Sequence, residues 1–137
     1  MDAIYLEIIT PEKIIYKDQI ESITVPGTKG GFQVLKDHAP LMSTIEIGIV
    51  TIKNSKSVTH FTTGGGTIEV LDNKVLVLAD SFEKVEDIDL DRAERAKQRA
   101  EERLKKKKEN EIDEVRAEAA LKRAMNRINA SHKFGSS

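Results

Sequence analysis

The hydrophobic residues of this chain change their spacing once, close to Asp80. From Ile4 to about Ala79 the apolar residues recur at every second position, in short runs that end in turn residues. Beyond Asp80 they recur at the three- and four-residue intervals of an α-helix, in a stretch almost free of glycine and proline. The sequence therefore predicts a β-domain followed by a helical domain, with bounds of 1–84 and 85–137.

The first domain is predicted to be an antiparallel β-sandwich, or flattened barrel. Clusters of turn residues at 26–31, 53–55, 64–66 and 72–73 separate runs of strand length. Strands this short and close together, with no helix between them, cannot form βαβ crossovers, so an antiparallel arrangement follows. The run Val75-Leu76-Val77-Leu78 is apolar throughout and predicts a strand buried on both faces.

The second domain is predicted to be two helices that pack side by side as an antiparallel hairpin. Asp87 is the candidate N-cap of the first helix, and Lys105–Lys108 would lie at its end, where cations complement the helix dipole. The chain would turn near Lys108-Glu109-Asn110. A second helix would run from Glu111 to about Asn129, and Ser131 to Ser137 would form a frayed tail.

The apolar stripe between these helices is thin and contains many alanines. Its members are Leu90, Ala93, Ala96 (or Lys97), Ala100 and Leu104 in the first helix and Ile112, Val115, Ala117, Ala120, Leu121, Ala124, Met125 and Ile128 in the second. Burying an alanine methyl contributes about 0.8 kcal/mol, against roughly 1.5–3 kcal/mol for a leucine or isoleucine. Fixing the backbone of one residue costs about 1–2 kcal/mol. We therefore expect a hairpin of marginal stability that can open when a partner offers better contacts.

Arginines lie on matching stripes of the two predicted helices. Arg92 and Arg99 share a face of the first helix, while Arg116, Arg123 and Arg127 share a face of the second. Folded as a hairpin, the helices could direct several guanidinium groups at one small anion. The alternative is that these arginines form ion pairs with carboxylates one turn away, which on the residues alone is the stronger interpretation.

Composition excludes several classes of function. The chain has no cysteine, so it contains no disulfide, thiolate metal site or cysteine nucleophile. Its formal net charge of −1 argues against binding to nucleic acid or anionic lipid through bulk charge. No apolar run approaches the ~20 residues that span a bilayer, and the N-terminus lacks the pattern of a secretory signal. We expect a soluble or peripheral protein of a reducing compartment.

Three local patterns give little support for chemistry. Gly64-Gly65-Gly66 leads into the strand Thr67–Val70 rather than a helix, which favours a bulge or tight strand entry over a phosphate loop. His38 and His60 lack the spacing of metal ligands or catalytic groups, so neither a metal site nor a catalytic residue is predicted. Lys105–Lys108 fits a solvated helix end better than a nucleic-acid or lipid patch.

One local sequence resembles a known family. Ile88-Asp89-x-x-Arg92-Ala93, placed after an all-β domain, resembles the epsilon subunit of F-type ATP synthases of bacteria and organelles. The resemblance covers essentially the whole chain and includes Thr10-Pro11, Gly27-x-x-Gly30, His38-Ala39-Pro40-Leu41, Gly65-Gly66 with Glu69-Val70, and the run from Arg116-Ala117 to Arg127. It implies a non-catalytic central-stalk subunit of the proton-translocating complex. Two other classes, an enzyme acting on nucleotides and a nucleic-acid adapter, rank far behind.

The resemblance also implies partners and a location. The β-domain would dock on the gamma subunit and the c-ring, with Gly30, Gly31, His38 and Pro40 as interface candidates. The hairpin would either fold against the β-domain or extend along gamma into the alpha/beta catalytic head and inhibit ATP hydrolysis. The protein would be peripheral on the cytoplasmic face of the bacterial inner membrane, or the equivalent organellar face, and held there only through the complex. No nucleic acid is expected as a partner.

ATP is implied as a regulatory ligand of the folded hairpin, and no cofactor is required. The positions that match the family's ATP site are Glu83, Ile88, Asp89, Arg92, Ala93, Arg99, Arg123 and Arg127. By this resemblance, Ile88 and Ala93 would flank the adenine base. Asp89 or Glu83 would accept a hydrogen bond from the adenine amine, and the arginines would bind the phosphates through charge-assisted hydrogen bonds.

Overall fold

The computed structural model describes residues 3–106 and 111–135. The chain divides into two compact units, Met1–Lys84 and Val85–Ser137. The first is built from strands and the second from helices. Within the part of the chain that is described, no helix is both long enough and apolar enough to cross a membrane.

In the described residues of the first unit, ten strands form one continuous sheet. They are β1 (Ile4–Ile9), β2 (Ile14–Ile20), β3 (Ser22–Gly27), β4 (Gly30–Val34), β5 (Leu41–Ile45), β6 (Gly48–Asn54), β7 (Ser57–Thr63), β8 (Gly66–Leu71), β9 (Lys74–Ala79) and β10 (Phe82–Lys84). Their order is β10-β7-β6-β3-β5-β8-β9-β1-β2, with β4 paired to β3. Because β2, at the end of this order, contacts β6, the sheet closes on itself. The predicted β-sandwich, or flattened barrel, is confirmed.

The core of the β-unit lies inside the closed sheet. Alternation along β1 buries Ile4, Leu6 and Ile8 completely, and the same rule buries Ile68 and Val77 on neighbouring strands. One cluster of aliphatic and aromatic side chains runs from the first strand to Phe82 on the last. Among the described residues, every buried side-chain nitrogen or oxygen has a hydrogen-bond partner. The β-unit therefore holds a core made entirely of its own residues.

Strand β9 corrects the prediction of a strand buried on both faces. Val75 and Val77 are buried, whereas Leu76 is half-buried and Leu78 is 48% exposed. The physical reason is that the sheet is a single layer wrapped around one core, so every strand keeps an outer face. The apolar run therefore forms one buried face of two valines and an outer face with a half-buried Leu76 and an exposed Leu78.

One strand pair departs from the antiparallel pattern. Strands β1 and β9 pair in parallel, with Tyr5 opposite Lys74 and Ile9 opposite Leu78. A parallel pair needs a long crossover connection, and here strands β2 to β8 supply it without a helix. Short local connections therefore did not exclude a parallel pair between strands that are distant in the sequence.

The second unit begins with a 3₁₀ turn (Val85–Asp87), followed by α1 (Leu90–Lys105) and α2 (Glu111–Phe134). The N-cap of α1 is Asp89 and not Asp87, which corrects the prediction. Asp89 has extended backbone dihedrals, and its Oδ1 accepts a hydrogen bond from the Arg92 N–H at 3.1 Å. Asp87 is instead taken up by the 3₁₀ turn, so the helix starts two residues later than expected.

Helix α2 runs five residues beyond the predicted end at Asn129. Ala130 is fully buried, and this packing carries the helix through the segment expected to fray. The Gly135 N–H donates to the Ser131 carbonyl at 2.9 Å and closes the last turn. The predicted turn at Lys108-Glu109-Asn110 lies outside the described residues, as do Lys107 and Lys108 of the lysine run.

Candidate functional site

Helices α1 and α2 contact each other, and we call the four buried alanines along this contact the alanine seam. They are Ala93 and Ala100 on α1 and Ala117 and Ala124 on α2, all of them buried. On each helix the two alanines are seven residues apart and so lie on one face. The short connection places the helices antiparallel, and α2 also contacts the 3₁₀ turn that precedes α1. The predicted hairpin with an alanine seam is confirmed.

Two residues predicted for the apolar stripe lie outside the seam. Val115 is 62% exposed and Met125 is 42% exposed. Each residue of an α-helix turns about 100° around the axis, so Val115 lies on the far side of α2 from Ala117, and Met125 lies well to one side of Ala124. The seam is therefore narrower than predicted.

An arginine directly precedes each alanine of the seam. These residues are Arg92, Arg99, Arg116 and Arg123, and all four are exposed. Each lies about 100° around its helix from the neighbouring alanine. Two antiparallel helices are related by a two-fold axis perpendicular to the plane that contains them. This axis carries a residue of one helix to the equivalent residue of the other on the same side of that plane. The arginines of both helices therefore line one side of the seam, which we call the basic side.

Arg127 extends the basic side by one turn beyond Arg123. It is half-buried and lies about 40° around the helix from Arg123. The seven-residue spacing in the sequence predicted that the arginines of each helix share one face. Guanidinium groups stay charged at all physiological pH values and match the geometry of phosphate oxygens. Groups of this kind suit a multiply charged anion.

The other predicted ATP-site residues of the helical unit lie at the start of α1. Ile88 is half-buried, and its N–H donates to the Val85 carbonyl at 3.1 Å. Asp89 caps the helix through one hydrogen bond, and a carboxylate has capacity for several more. Ala93 is fully buried in the seam. Glu83 belongs to the β-unit, where it lies on β10 opposite Thr62.

Two of the four predicted interface residues of the β-unit line a surface groove. Gly30 and His38 line this groove of about 580 Å³, together with Thr28, Lys29, Phe32, Leu41, Met42 and Thr44 among others. The Thr28 and Thr44 hydroxyls lie 2.6 Å apart and bridge two segments of the groove wall. Gly31 lies on β4 opposite Pro26, and Pro40 is an exposed residue just before β5.

Met42 is a residue of this groove that the sequence analysis missed. It is 74% exposed, which is unusual for a large apolar side chain. Strand β5 places it opposite Glu69 on the outer face of the sheet. The signal in the sequence is an apolar residue directly after the apolar Leu41, which breaks strict alternation. The strand register that turns Met42 outward comes from the pairing of β5 with β8, which lies more than twenty residues further along the chain.

The glycine run and the second histidine have structural roles. Gly66 faces Ala79 across the sheet, and a Cβ added to it would clash with the Leu78 carbonyl. The strand-entry interpretation of this run is therefore confirmed. His60 lies on β7, where its Nδ1 is 3.0 Å from the Thr51 hydroxyl. In the described ranges, no three histidine, aspartate or glutamate side chains are grouped so that they could hold a metal ion.

Partial burial raises the pKa of one tyrosine at the edge of the core above its usual value. The Tyr16 hydroxyl is partly removed from water, and the negative charge of Asp18 raises the pKa further, while a hydrogen bond from Asn54 lowers it. Its ring packs edge-on against Phe61 at 6.5 Å between centroids. Tyr16 is therefore a structural group of the β-unit.

A closed β-sheet unit followed by a two-helix unit defines the class: a small two-domain protein with a basic helical hairpin. Family models divide the chain at the same place. Residues 3–85 match the beta-sandwich domain of the ATP synthase delta/epsilon chain, and residues 86–132 match its long alpha-helix domain.

Known relatives cover nearly the whole chain. The ATP synthase epsilon chain of Nitratidesulfovibrio vulgaris is 46% identical over 92% of this chain and 93% of its own. That of Desulforamulus reducens is 40% identical over 92% and 95%. A chain in the Euglena gracilis mitochondrial ATP synthase structure has a TM-score of 0.83 at 20% identity, covering 96% of this chain and 83% of that one, which shows a shared fold. This chain belongs to the family of ATP synthase epsilon chains, as the resemblance predicted.

Proposed function

We propose that this chain is a non-catalytic rotor subunit that joins the gamma subunit to the c-ring of a proton-translocating F-type ATP synthase. The observation that carries this proposal is the match of both family domains, in order, over residues 3–132. The groove around Gly30, His38 and Met42 supports it, because an exposed methionine beside glycine backbone suits contact with another protein. The chain would be peripheral on the cytoplasmic face of the bacterial membrane, or the equivalent organellar face, through this assembly alone.

The helical unit is proposed to regulate ATP hydrolysis. It would leave its folded state, extend along gamma and enter the alpha/beta catalytic head, where it would block the reverse reaction. The alanine seam supports this role, because alanine methyls contribute little burial energy and the helices can separate at low cost. The complete core of the β-unit supports it further, since that unit keeps its own packing when the helices move.

A truncation after Lys84 tests both parts of this proposal. The truncated chain keeps every residue of the β-unit core, so it should fold and assemble with the complex. ATP hydrolysis by the assembled complex should rise relative to the full chain. Normal assembly with unchanged hydrolysis would contradict the inhibitory role. Failure of a folded truncated chain to assemble would contradict docking through the β-unit.

We further propose that ATP binds the folded hairpin and stabilises it. The phosphates would lie against the basic side, with Arg92, Arg99, Arg123 and Arg127 as donors. This arrangement is supported by the presence of arginines from both helices on one side of the seam. A ligand held by both helices favours the closed hairpin by the free energy of its binding to that state. Within the helical unit, Ile88 would lie against the adenine base and Asp89 would accept a hydrogen bond from its amine, as the resemblance implies, whereas Ala93 is fully buried in the seam.

Calorimetry of ATP binding to the full chain tests this second proposal. Arg92→Ala and Arg123→Ala should each weaken binding by about tenfold or more, since a hydrogen bond to a charged group contributes about 1.5–3 kcal/mol. Lys122→Ala is the matched control, because it removes an exposed cation about 140° around α2 from Arg127. Equal losses in all three variants would indicate bulk charge rather than a built site. No heat at millimolar ATP would remove the ATP proposal and leave the subunit assignment intact.

A further inference from the structure

Three residues with an unusual backbone meet at one junction of the β-unit. In the described part of the chain, the non-glycine residues with positive φ are Asp37 (64°), Asp72 (49°) and Asn73 (61°). Asp72 and Asn73 form the two-residue turn between β8 and β9, where positive φ at both positions matches the twist of the strands. Asp37 lies in the connection between β4 and β5. Its left-handed backbone is not explained by a hairpin of its own.

The connection that contains Asp37 is a tight turn. The His38 N–H donates to the Leu35 carbonyl at 3.2 Å, which places Asp37 at the third position of a four-residue turn. A turn with positive φ at this position follows the type II pattern, in which glycine or asparagine is preferred. Aspartate tolerates positive φ better than most residues other than glycine, and contacts from elsewhere in the β-unit fix this turn further.

Asn73 supplies those contacts from a position 36 residues further along the chain. The Asp37 N–H donates to Asn73 Oδ1 at 2.6 Å, and Asn73 Nδ2 donates back to Asp37 Oδ1 at 3.1 Å. The Asn73 carbonyl also accepts from the Tyr5 N–H at 2.9 Å. Asn73 therefore ties together the β8–β9 turn, the start of β1 and the turn at Asp37. We refer to the two reciprocal hydrogen bonds as the Asp37–Asn73 clasp.

The clasp lies directly beside the proposed interface. His38 follows Asp37, lines the groove, and has its Nδ1 2.7 Å from the Ala39 carbonyl. A peptide plane that is fixed at Asp37 sets the direction in which His38-Ala39-Pro40 leaves the turn. We propose that Asn73 is a positioning residue that holds this segment in the conformation presented to the gamma subunit. The inference rests on the proposed function and adds to it a residue outside the groove.

The test uses the full chain and compares a single variant with a double variant. Asn73→Asp places two carboxylates at hydrogen-bond distance and replaces a donor with an acceptor, so the clasp opens through like-charge repulsion. Adding Asp37→Asn restores a pair of one amide and one carboxylate, with the amide now at position 37 and the carboxylate at position 73. Both residue types tolerate the left-handed backbone, so the turn itself is preserved in each variant. Asp72→Asn is the matched control, because it changes a carboxylate of the same turn that is not part of the clasp.

Two measurements are made on each variant: calorimetric affinity for the cognate gamma subunit and the exchange rate of the Asp37 amide hydrogen. Asn73→Asp should weaken gamma binding by about tenfold, equivalent to about 1.4 kcal/mol, and should speed exchange at Asp37. The double variant should regain most of the gamma affinity and most of the protection of the Asp37 amide. Asp72→Asn should change neither the affinity nor the exchange rate.

The outcomes separate this inference from the proposed function. A wild-type chain that does not bind gamma overturns the proposed function and, with it, the interface role of the clasp. Wild-type binding that is unaffected by Asn73→Asp, although exchange at Asp37 rises, overturns the positioning role alone. A loss of gamma binding that the double variant does not restore also overturns the positioning role. Such a loss would come from the absence of Asn73 itself and not from the broken Asp37–Asn73 clasp.

Discussion

The two units of this chain are stabilised by side chains of very different size. The β-unit buries leucine, isoleucine, valine and phenylalanine in one continuous cluster. In the described residues of the helical unit, the buried side chains are Val85 and five alanines. An isoleucine contributes roughly two to four times the burial energy of an alanine methyl. The comparison indicates a division of labour in which one unit provides a fixed scaffold and the other keeps a contact that can be broken.

Truncation of a core residue should give the largest effect and should be confined to the scaffold. Leu6→Ala removes a completely buried side chain from β1 and should lower the free energy of unfolding of the β-unit by about 2–5 kcal/mol. Urea unfolding, followed by hydrogen exchange in each unit, measures this loss. Leu78→Ala, on the outer face of β9, is the control and should cost far less. Equal losses would mean that the outer face is also packed.

Enlarging an alanine of the seam should affect the helices and spare the sheet. Ala100→Leu inserts a large side chain at a buried position of the seam and should cost about 1–3 kcal/mol through overpacking. Hydrogen exchange should increase in α1 and α2 and stay constant in the β-unit. Gln98→Leu adds the same side chain at an exposed position of α1 and should have little effect. Loss of protection in the sheet would contradict the independence of the two units.

Sequence patterns predicted the elements of both units because the patterns are local. Alternation identified the strands, the three- and four-residue spacing of a helix identified the apolar stripe, and seven-residue spacing identified the arginines beside it. The parallel pairing of β1 with β9 was missed because it joins residues about 70 positions apart. Local patterns were likewise not enough to find all residues of the proposed interface. His38 was identified by its local motif. Met42 and the Asp37–Asn73 clasp depend on pairings between distant strands and turns.

The start of α1 was predicted two residues too early, and this correction can be tested. Asp89→Ala removes the side chain that caps the Arg92 N–H and should destabilise the helical unit by about 0.5–2 kcal/mol. Asp87→Ala removes a carboxylate of similar exposure from the 3₁₀ turn and should cost less. Thermal unfolding of the helical signal compares the two. A larger loss for Asp87→Ala would restore the original assignment of the N-cap.

The smallest effect should appear in the scaffold at high pH. Because folding raises the pKa of Tyr16 above 10.0, the unfolded chain releases this proton at a lower pH than the folded one. The stabilisation from the neutral phenol is complete below pH 10.0 and is lost as the pH rises toward the folded pKa. Tyr16→Phe should therefore reduce the fall in β-unit stability at alkaline pH, as measured by urea unfolding.

Asp18→Asn gives an intermediate test of the same effect, because it removes the second cause of the raised pKa and leaves burial in place. The decline at alkaline pH should lie between those of the wild-type chain and Tyr16→Phe. The helical unit should show no difference among the three chains, since Tyr16 packs against the β-unit core. A change in the helical unit would mean that the scaffold transmits its ionisation to the hairpin, and the division between a fixed and a releasable unit would then be incomplete.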